Sequence, residues 1–470
     1  MKSEQYRFRR NVLLLLFGAL SVSLFSANSM GQSLTPRSIA FDGAEGFGKF
    51  SRGGAKGKLY IVTSLEDKDE PGTLRYAINQ KHPRVITFAV SGVIKLSKEL
   101  KVNHGRITLA GQTSAGGITI SGAPFTVSNA EDVIIRFIRF RLGTFKVVED
   151  ALTVRNSNNV IIDHCSLSWS VDETGSFYNN RNFTLQNSII SYSLNDSIHP
   201  KGKHGYGGIW GGANASFINN IIANHASRTP RINGHRLKSP YPYTDEFIEV
   251  SNNIIFNWGH NNVYGSENGR FNLIANYYKP GKASKRIQFA DIWFSPFISK
   301  NQAYIAGNIL EGYPEFDDKN WLAVNYRNKK EGKRIASQAN SPWLSDKKII
   351  VEKESDFKAK NAKQVFYDIA QNQLAGANRN AHGVFIDSID QLVYDQLNDK
   401  RPVTGDGLIN HELDVIPSWQ AYEAQFKDVA VVQDKNNDGI ADSWFAQQEA
   451  VLKTLNESQK LELYLEHLAK

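Results

Sequence analysis

Short bursts of apolar residues recur through the middle of the chain, each reaching an asparagine or another polar residue just before an apolar pair. They run Val160-Ile161-Ile162-Asp163-His164-Cys165, Phe183-Thr184-Leu185-Gln186-Asn187-Ser188-Ile189-Ile190 and Phe217-Ile218-Asn219-Asn220-Ile221-Ile222. Val250-Ser251-Asn252-Asn253-Ile254-Ile255, Leu273-Ile274-Ala275-Asn276-Tyr277 and Ile305-Ala306-Gly307-Asn308-Ile309-Leu310 continue the series. With His164, Asn187, Asn219, Asn252, Asn276 and Asn308 in register, the steps are about 23, 32, 33, 24 and 32 residues. Self-similarity at such a period predicts a solenoid. The repeats are too rich in Ile, Val, Phe and Thr, and too often broken by Asn and Gly, for helical repeats. The expected fold is therefore all-β, a right-handed parallel β-helix. The aligned asparagines are expected to form a hydrogen-bonded ladder in bends where Asn tolerates left-handed backbone. The unequal steps predict a constant core with insertions on one side.

Arg106–Gly111, Gly117–Gly122 and the alternating Val133–Phe140 read as earlier coils. The segment around Gly72–Ile78 is expected to cap the stack, because an open β-helix end is an exposed edge. The repeats fade after about residue 315. Helix-like stretches follow, such as Ala359–Leu374, and Thr454–Lys470 has a strongly helical, leucine-spaced composition. These features divide the chain into residues 33–400, a β-helix with capping and flanking segments, and residues 401–470, a small, mainly helical C-terminal appendage.

Residues 1–32 read as an export signal. Lys2, Arg7, Arg9 and Arg10 precede an apolar run from Val12 to Phe25, and small and polar residues follow. That run is short for a membrane span, and no other segment approaches the length one needs. The expected location is outside the cytoplasm: periplasm, cell surface or medium. Cys165 is the only cysteine among 470 residues, so no internal disulfide forms, and its apolar surroundings predict a buried structural thiol. The formal net charge of +8 suits an anionic polymer, although charge alone does not choose between nucleic acid and acidic polysaccharide.

Two clusters carry candidate chemistry. Glu149-Asp150 and Asp172-Glu173 stand about one coil apart, which places Asp150 and Asp172 on neighbouring turns. Hard oxygen donors in that arrangement suit Ca²⁺, with solvated acidic loops as the alternative. Lys201, Lys203 and His204 precede Arg228 and Arg231 by about one further coil. Pro230 stiffens the backbone between the two arginines and aims them. A third feature, Asp434, Asn436, Asp438 and Asp442 around Gly439, looks like the start of a calcium loop. Phe445 stands where a full EF-hand has Glu, so a short structural Ca²⁺ loop is expected.

The chain resembles polysaccharide lyase family 1, the pectate lyases, and especially its bacterial branches with C-terminal extensions. The segments that carry the resemblance are Ala44–Gly48, Gly72–Arg75, Glu149–Leu152, Val160–Ser166, Trp169–Glu173 and Arg228–Arg231. Their order and spacing span roughly residues 40 to 310. The resemblance implies calcium at Asp150 and Asp172 with Glu173 beside them, and a catalytic arginine at Arg228. It implies a lysine that holds the substrate carboxylate, for which Lys203 is the choice, with His204 and Arg231 near the substrate. The chain departs from the pattern at Ser176 and Val148, where some relatives carry further acidic ligands. The implied reaction is calcium-assisted β-elimination of polygalacturonate to unsaturated oligogalacturonides, by a monomer with no nucleic-acid partner. A polygalacturonase-like hydrolase or a non-catalytic carbohydrate-binding β-helix are the competing expectations, because the fold alone allows both.

Overall fold

The structure, a computed structural model, describes residues 38–145, 147–294, 302–328, 334–335, 343–351 and 355–470. The expected export signal at residues 1–32 lies outside the described residues. Residues from Ser38 to Lys470 form one compact unit.

Valine, isoleucine and phenylalanine alternate inward along each strand, and neighbouring coils stack them. Asn158–Asp163 pairs in parallel with Glu131–Arg136 on one side and Arg181–Gln186 on the other, with Val133, Val160 and Phe183 in one file. Among the described residues such strands sort into three long sheets. Each coil contributes one strand to each sheet in turn. Leu152–Arg155 lies in the second sheet, Asn158–Asp163 in the first and Ser166–Ser168 in the third, before Gly175–Tyr178 returns to the second. In these three sheets the pairing is parallel apart from Arg334–Ile335, which closes the second sheet antiparallel, and a separate two-stranded hairpin, Arg379–Asn380 with Gly383–Val384, is also antiparallel. The fold is a right-handed parallel β-helix, the hand that parallel crossovers adopt almost without exception.

The bend from first to third sheet takes two residues. The first is left-handed, with φ of 50° at His164, 50° at Asn187, 58° at Asn219 and 58° at Asn252. The second carries the ladder. Asn220 Nδ2 donates to Asn253 Oδ1 at 2.9 Å, Asn253 to Asn276 at 2.9 Å and Asn276 to Asn308 at 2.8 Å, all fully buried. This corrects the sequence register by one residue. Asn276 and Asn308 belong with Asn220 and Asn253, while Ala275 and Gly307 take the left-handed position. The last steps are therefore 23 and 32 residues. Adjacent asparagines at Asn219-Asn220 and Asn252-Asn253 hide which of each pair is the ladder residue.

Inside, rings pack within a coil, Trp210 on Phe217 at 4.3 Å and Phe177 on Phe183 at 5.3 Å, and between coils, Phe183 against Phe217 at 5.6 Å. Cys165 is buried among them, as its neighbours predict. At the first coils the helix Leu74–Asn79, N-capped by Thr73, buries Leu74, Ala77 and Ile78 in the same core.

Residues after the last coil return along the outside. The helix Ser388–Leu397 buries Ile389, Val393 and Leu397 with Trp169, Ile189 and Ile221 of the third-sheet side. Helices Asp442–Leu452 and Glu457–Leu468 bury Trp444, Leu452 and Leu461 against Leu59 and Val85 of the first sheet. Among the described residues no helix is long and apolar enough to cross a membrane.

Candidate active site

Every candidate of the two clusters except Arg231, which opens a strand of the second sheet, lies on the connection that leads from the third sheet into the second. The insertion of residues 192–208 falls on this connection, but that of residues 233–246 falls between the second sheet and the first, so the insertions are not all on one side as expected. Asp150 precedes the strand Leu152–Arg155, Asp172 and Glu173 precede Gly175–Tyr178, His199 and His204 precede Ile209–Trp210, and Arg228 precedes Arg231–Ile232. Parallel register then stacks them. Glu173 bridges Tyr206, and Tyr206 bridges Ser227. Successive coils in such a stack are about 4.8 Å apart.

Arg228 is aimed by its backbone. Its φ is 59°, a left-handed value uncommon outside Gly and Asn, and a cis peptide bond follows at Thr229-Pro230. Coils on both sides pin it. Gly208 N donates to Arg228 O at 2.8 Å, and Thr229 N donates to Asn262 O at 3.3 Å. A side chain at Gly207 would meet Arg228 O at 2.3 Å, so the glycine is what lets the neighbouring coil approach. The guanidinium lies 4.3 Å from the centre of the Tyr206 ring and is ion-paired with Glu173.

The carboxylates converge beside it. Oxygens of Asp150, Asp172 and Glu173 all lie within 4.8 Å of one another. Asp150 Oδ2 accepts from Thr153 Oγ1 at 2.8 Å, and its Oδ1 accepts from Glu173 N at 3.0 Å. Burial pushes the Asp150 carboxyl up to about 7, and Asp172 adds to the shift, against hydrogen bonds from Thr153 and Ser176. Glu149 is pushed up too, by burial and then by Asp150. The cluster thus carries more negative charge than its surroundings balance. Three convergent oxygen donors short of positive charge fit a hard divalent cation such as Ca²⁺. Ser176 offers its hydroxyl to Asp150, and Val148 packs with the third-sheet apolar cluster, so neither position restores an acidic ligand.

His204 Nε2 lies 2.8 Å from Asp172 Oδ1, and burial lowers the His204 pKa, which keeps the ring neutral near pH 7. Its ring stacks on His199 at 3.8 Å with an interplanar angle of 3°. His199 was not singled out in the sequence. Its signal was the proximity of two histidines on one insertion, His199 and His204. Asp172, His199 and His204 each offer a ligand atom within 4.8 Å of the others, a second group of donors beside the three carboxylates, and His199 Nδ1 accepts from Lys201 N at 3.1 Å.

Two other expected residues sit differently. Lys203 is 72% exposed, with its ammonium 3.8 Å from Asp196. Arg231 is buried, ion-paired with Glu267 at 2.6 Å and flanked by the Tyr264 and Trp293 rings at 5.0 Å each. The Asp434 loop lies apart, ahead of the helix Asp442–Leu452. Asp434 accepts from Asp438 N and Gly439 N, Asp438 from Ile440 N and Asn436 Nδ2, and Asp442 from Lys435 N.

No family model matches the chain. It is 35% identical over 294 residues to "Probable pectate lyase C" of Aspergillus terreus, covering 60% of this chain and 64% of that protein. It is 37% identical over 274 residues to "Probable pectate lyase C" of Neosartorya fischeri, covering 57% of this chain and 60% of that protein. The chain thus spans less than two thirds of these relatives. Among solved structures it is similar to the major allergen from cedar pollen at 21% identity, with a TM-score of 0.43 over 71% of this chain and 93% of that one.

Proposed function

We propose that the chain is an exported pectate lyase, cleaving polygalacturonate by β-elimination with Ca²⁺ held by Asp150, Asp172 and Glu173. The observation that carries this reading is the placement of Arg228, pinned by coils on both sides, against three convergent carboxylates. The 35–37% identity to proteins named pectate lyase supports it.

The chemistry follows from a uronate. Its C6 carboxylate adjoins C5, so charge left on C5 delocalises onto that carboxylate. A base from solvent, water or hydroxide, takes the C5 proton, the electron pair of the C5–H bond becomes the C4=C5 double bond, and the glycosidic oxygen leaves C4 with its bonding pair and takes a proton from solvent. Ca²⁺, when bound, neutralises the substrate carboxylate and so lowers the cost of the charge that develops at C5. The guanidinium of Arg228, a fixed cation in this position, stabilises the same charge. Tyr206 supports the guanidinium from below, and His204 orients Asp172.

The carboxylate spacing argues against an inverting hydrolase, and the Glu173–Arg228 pair withdraws one carboxylate from the acid and nucleophile pair that a retaining hydrolase sets about 5–5.5 Å apart. Inverting hydrolases separate their two carboxyl groups by about 6.5–9.5 Å to admit a water. Here the oxygens lie within 4.8 Å and Glu173 is tied to Arg228, which leaves no such gap.

Calcium binding tests the site directly. Isothermal titration is expected to show a calcium site in the wild-type chain whose affinity rises as pH increases through about 7, where Asp150 loses its proton. Asp150→Asn is expected to weaken this site at least tenfold, with the fold unchanged by circular dichroism. Equal affinity in the variant would remove Asp150 from the site.

A further inference from the structure

We propose that residues 409–414 of the C-terminal appendage form a clamp that positions Asp150 and His204, with Asn410 and Glu412 as its positioning residues. This rests on the calcium reading above and extends it to a part of the chain outside the coils.

The clamp grips two connections that lead from the third sheet into the second. On the first, Asn195 is held through both of its backbone groups. Its N donates to Ile409 O at 2.7 Å, and its O accepts from His204 N at 2.7 Å. Asp196 N donates to Asn410 Oδ1 at 2.9 Å. A side chain at Gly205 would meet Asn195 Cα at 2.8 Å, so the two ends of this loop lie against each other. The loop thus starts at the clamp and closes at His204, whose Nε2 lies 2.8 Å from Asp172 Oδ1. On the second connection, Thr144 Oγ1 donates to the buried Glu412 carboxylate at 2.9 Å, and Thr144 N points to the same carboxylate at 3.3 Å. Leu413 N donates to His411 Nδ1 at 3.1 Å, which leaves His411 Nε2 to donate to Thr144 Oγ1 at 2.9 Å. Asp150 follows Thr144 by six residues.

The clamp is braced from within and behind. Asp414 Oδ2 accepts from Asn410 N at 2.8 Å and from His411 N at 3.1 Å, and Trp419 Nε1 donates to Glu412 at 3.0 Å. Ile409 and Ile416 are buried with the apolar cluster on the third sheet, so the segment is anchored without its polar links to the two loops. Those links go to the loops that carry Asp150 and His204. Three ionised carboxylates repel one another, and a ligand-bearing loop that swings outward relieves that repulsion. Holding both loops removes this escape and keeps the oxygens convergent before a cation arrives, which lowers the ordering cost of binding.

Calcium titration of the full chain, as wild type, Asn410→Ala, Asn410→Asp and Thr144→Val, measures the clamp, with amide exchange at His204 as a second readout. Removing a group that directly holds a metal ligand costs about 10–100-fold in affinity; Asn410 and Thr144 stand one link further out, so Asn410→Ala and Thr144→Val are each expected to weaken calcium about threefold. The two act through separate loops, so the double variant is expected to lose about ninefold. Asn410 is exposed, so its replacement is expected to leave the thermal midpoint unchanged. Asn410→Asp keeps the acceptor oxygen and is expected to restore wild-type affinity. His204 N is expected to exchange faster in Asn410→Ala and at the wild-type rate in Asn410→Asp. Wild-type calcium affinity in both single variants, with unchanged His204 exchange, would overturn the clamp. Equal losses in Asn410→Ala and Asn410→Asp would also overturn it, because the acceptor oxygen would then have no part. A wild type that binds no calcium would overturn the calcium reading; faster His204 exchange in Asn410→Ala would still support the clamp, and unchanged exchange would overturn it as well.

Discussion

Arg228→Lys is expected to lose ~10²–10³-fold in kcat on polygalacturonate, the scale seen when one fixed electrostatic group is removed from a reacting centre. Lysine keeps the positive charge and leaves Glu173 compensated, so the fold and its thermal midpoint should hold. What it lacks is the planar fork and the reach that Arg228 takes from its left-handed backbone and its seat over Tyr206. Calcium affinity should change little, because the three carboxylates stay in place. Arg228→Ala is expected to be at least as inactive and also less stable, since it strands Glu173 without a partner. Steady-state kinetics beside calcium titration separate the two effects. A lysine variant with wild-type kcat would remove Arg228 from the chemistry.

The second large effect is on stability. Arg141 is fully buried and donates to both oxygens of Asp387, at 2.9 and 2.7 Å, and to Asp390 at 2.9 Å. Arg139 lies 3.4 Å from the same Asp387 oxygen, and Tyr422 donates to it at 2.7 Å. Asp387 also caps the helix Ser388–Leu397 by accepting from Ile389 N and Asp390 N. Asp387→Ala leaves two buried guanidiniums facing one carboxylate. Breaking such a pair from one side costs about 3–5 kcal/mol. The expected result is a lower urea midpoint and earlier proteolysis in the segment after Ala362, which this network fastens to the third sheet. The arginines hold Asp387 down at about 2 although burial opposes this, so its folded pKa lies below its unfolded one. Its contribution is therefore present above pH 4 and is lost as pH falls toward about 2. An unchanged urea midpoint at neutral pH would show that the network is dispensable.

The β-helix was legible because its signal is repeated. Six versions of one pattern average out local ambiguity, and the bend needs asparagine for a reason that chemistry supplies. The register slip at Asn276 arose where that reason applied twice over, to a left-handed residue and to the ladder residue after it. The site was legible in part because one-coil spacing brings Asp150, Glu173 and Arg228 together in a stack. Spacing does not say which way a side chain turns. Lys203 and Arg231 fit the spacing as well as His204 does, yet Lys203 points to solvent and Arg231 is engaged by Glu267. The Glu173–Arg228 pair and the stacked His199 were hidden for the same reason. They depend on how the wide connections fold over one another, and those connections carry no repeat.

The fastening of the C-terminal segment was also hidden. Arg139 and Arg141 alternate with the core residues Ile138 and Phe140 along one strand, and their partners lie about 246 residues further along the chain. A buried charge pair leaves no periodic trace in either partner.

We propose that this site breaks a uronan by elimination and needs calcium to do it. The purified protein, incubated with polygalacturonate in calcium or in excess chelator, answers this when ultraviolet absorbance of the C4=C5 bond and new reducing ends are followed in the same sample. Both signals are expected to rise together with calcium, one double bond per new end, and chelator is expected to stop both. Reducing ends without absorbance, or cleavage indifferent to chelator, would contradict it.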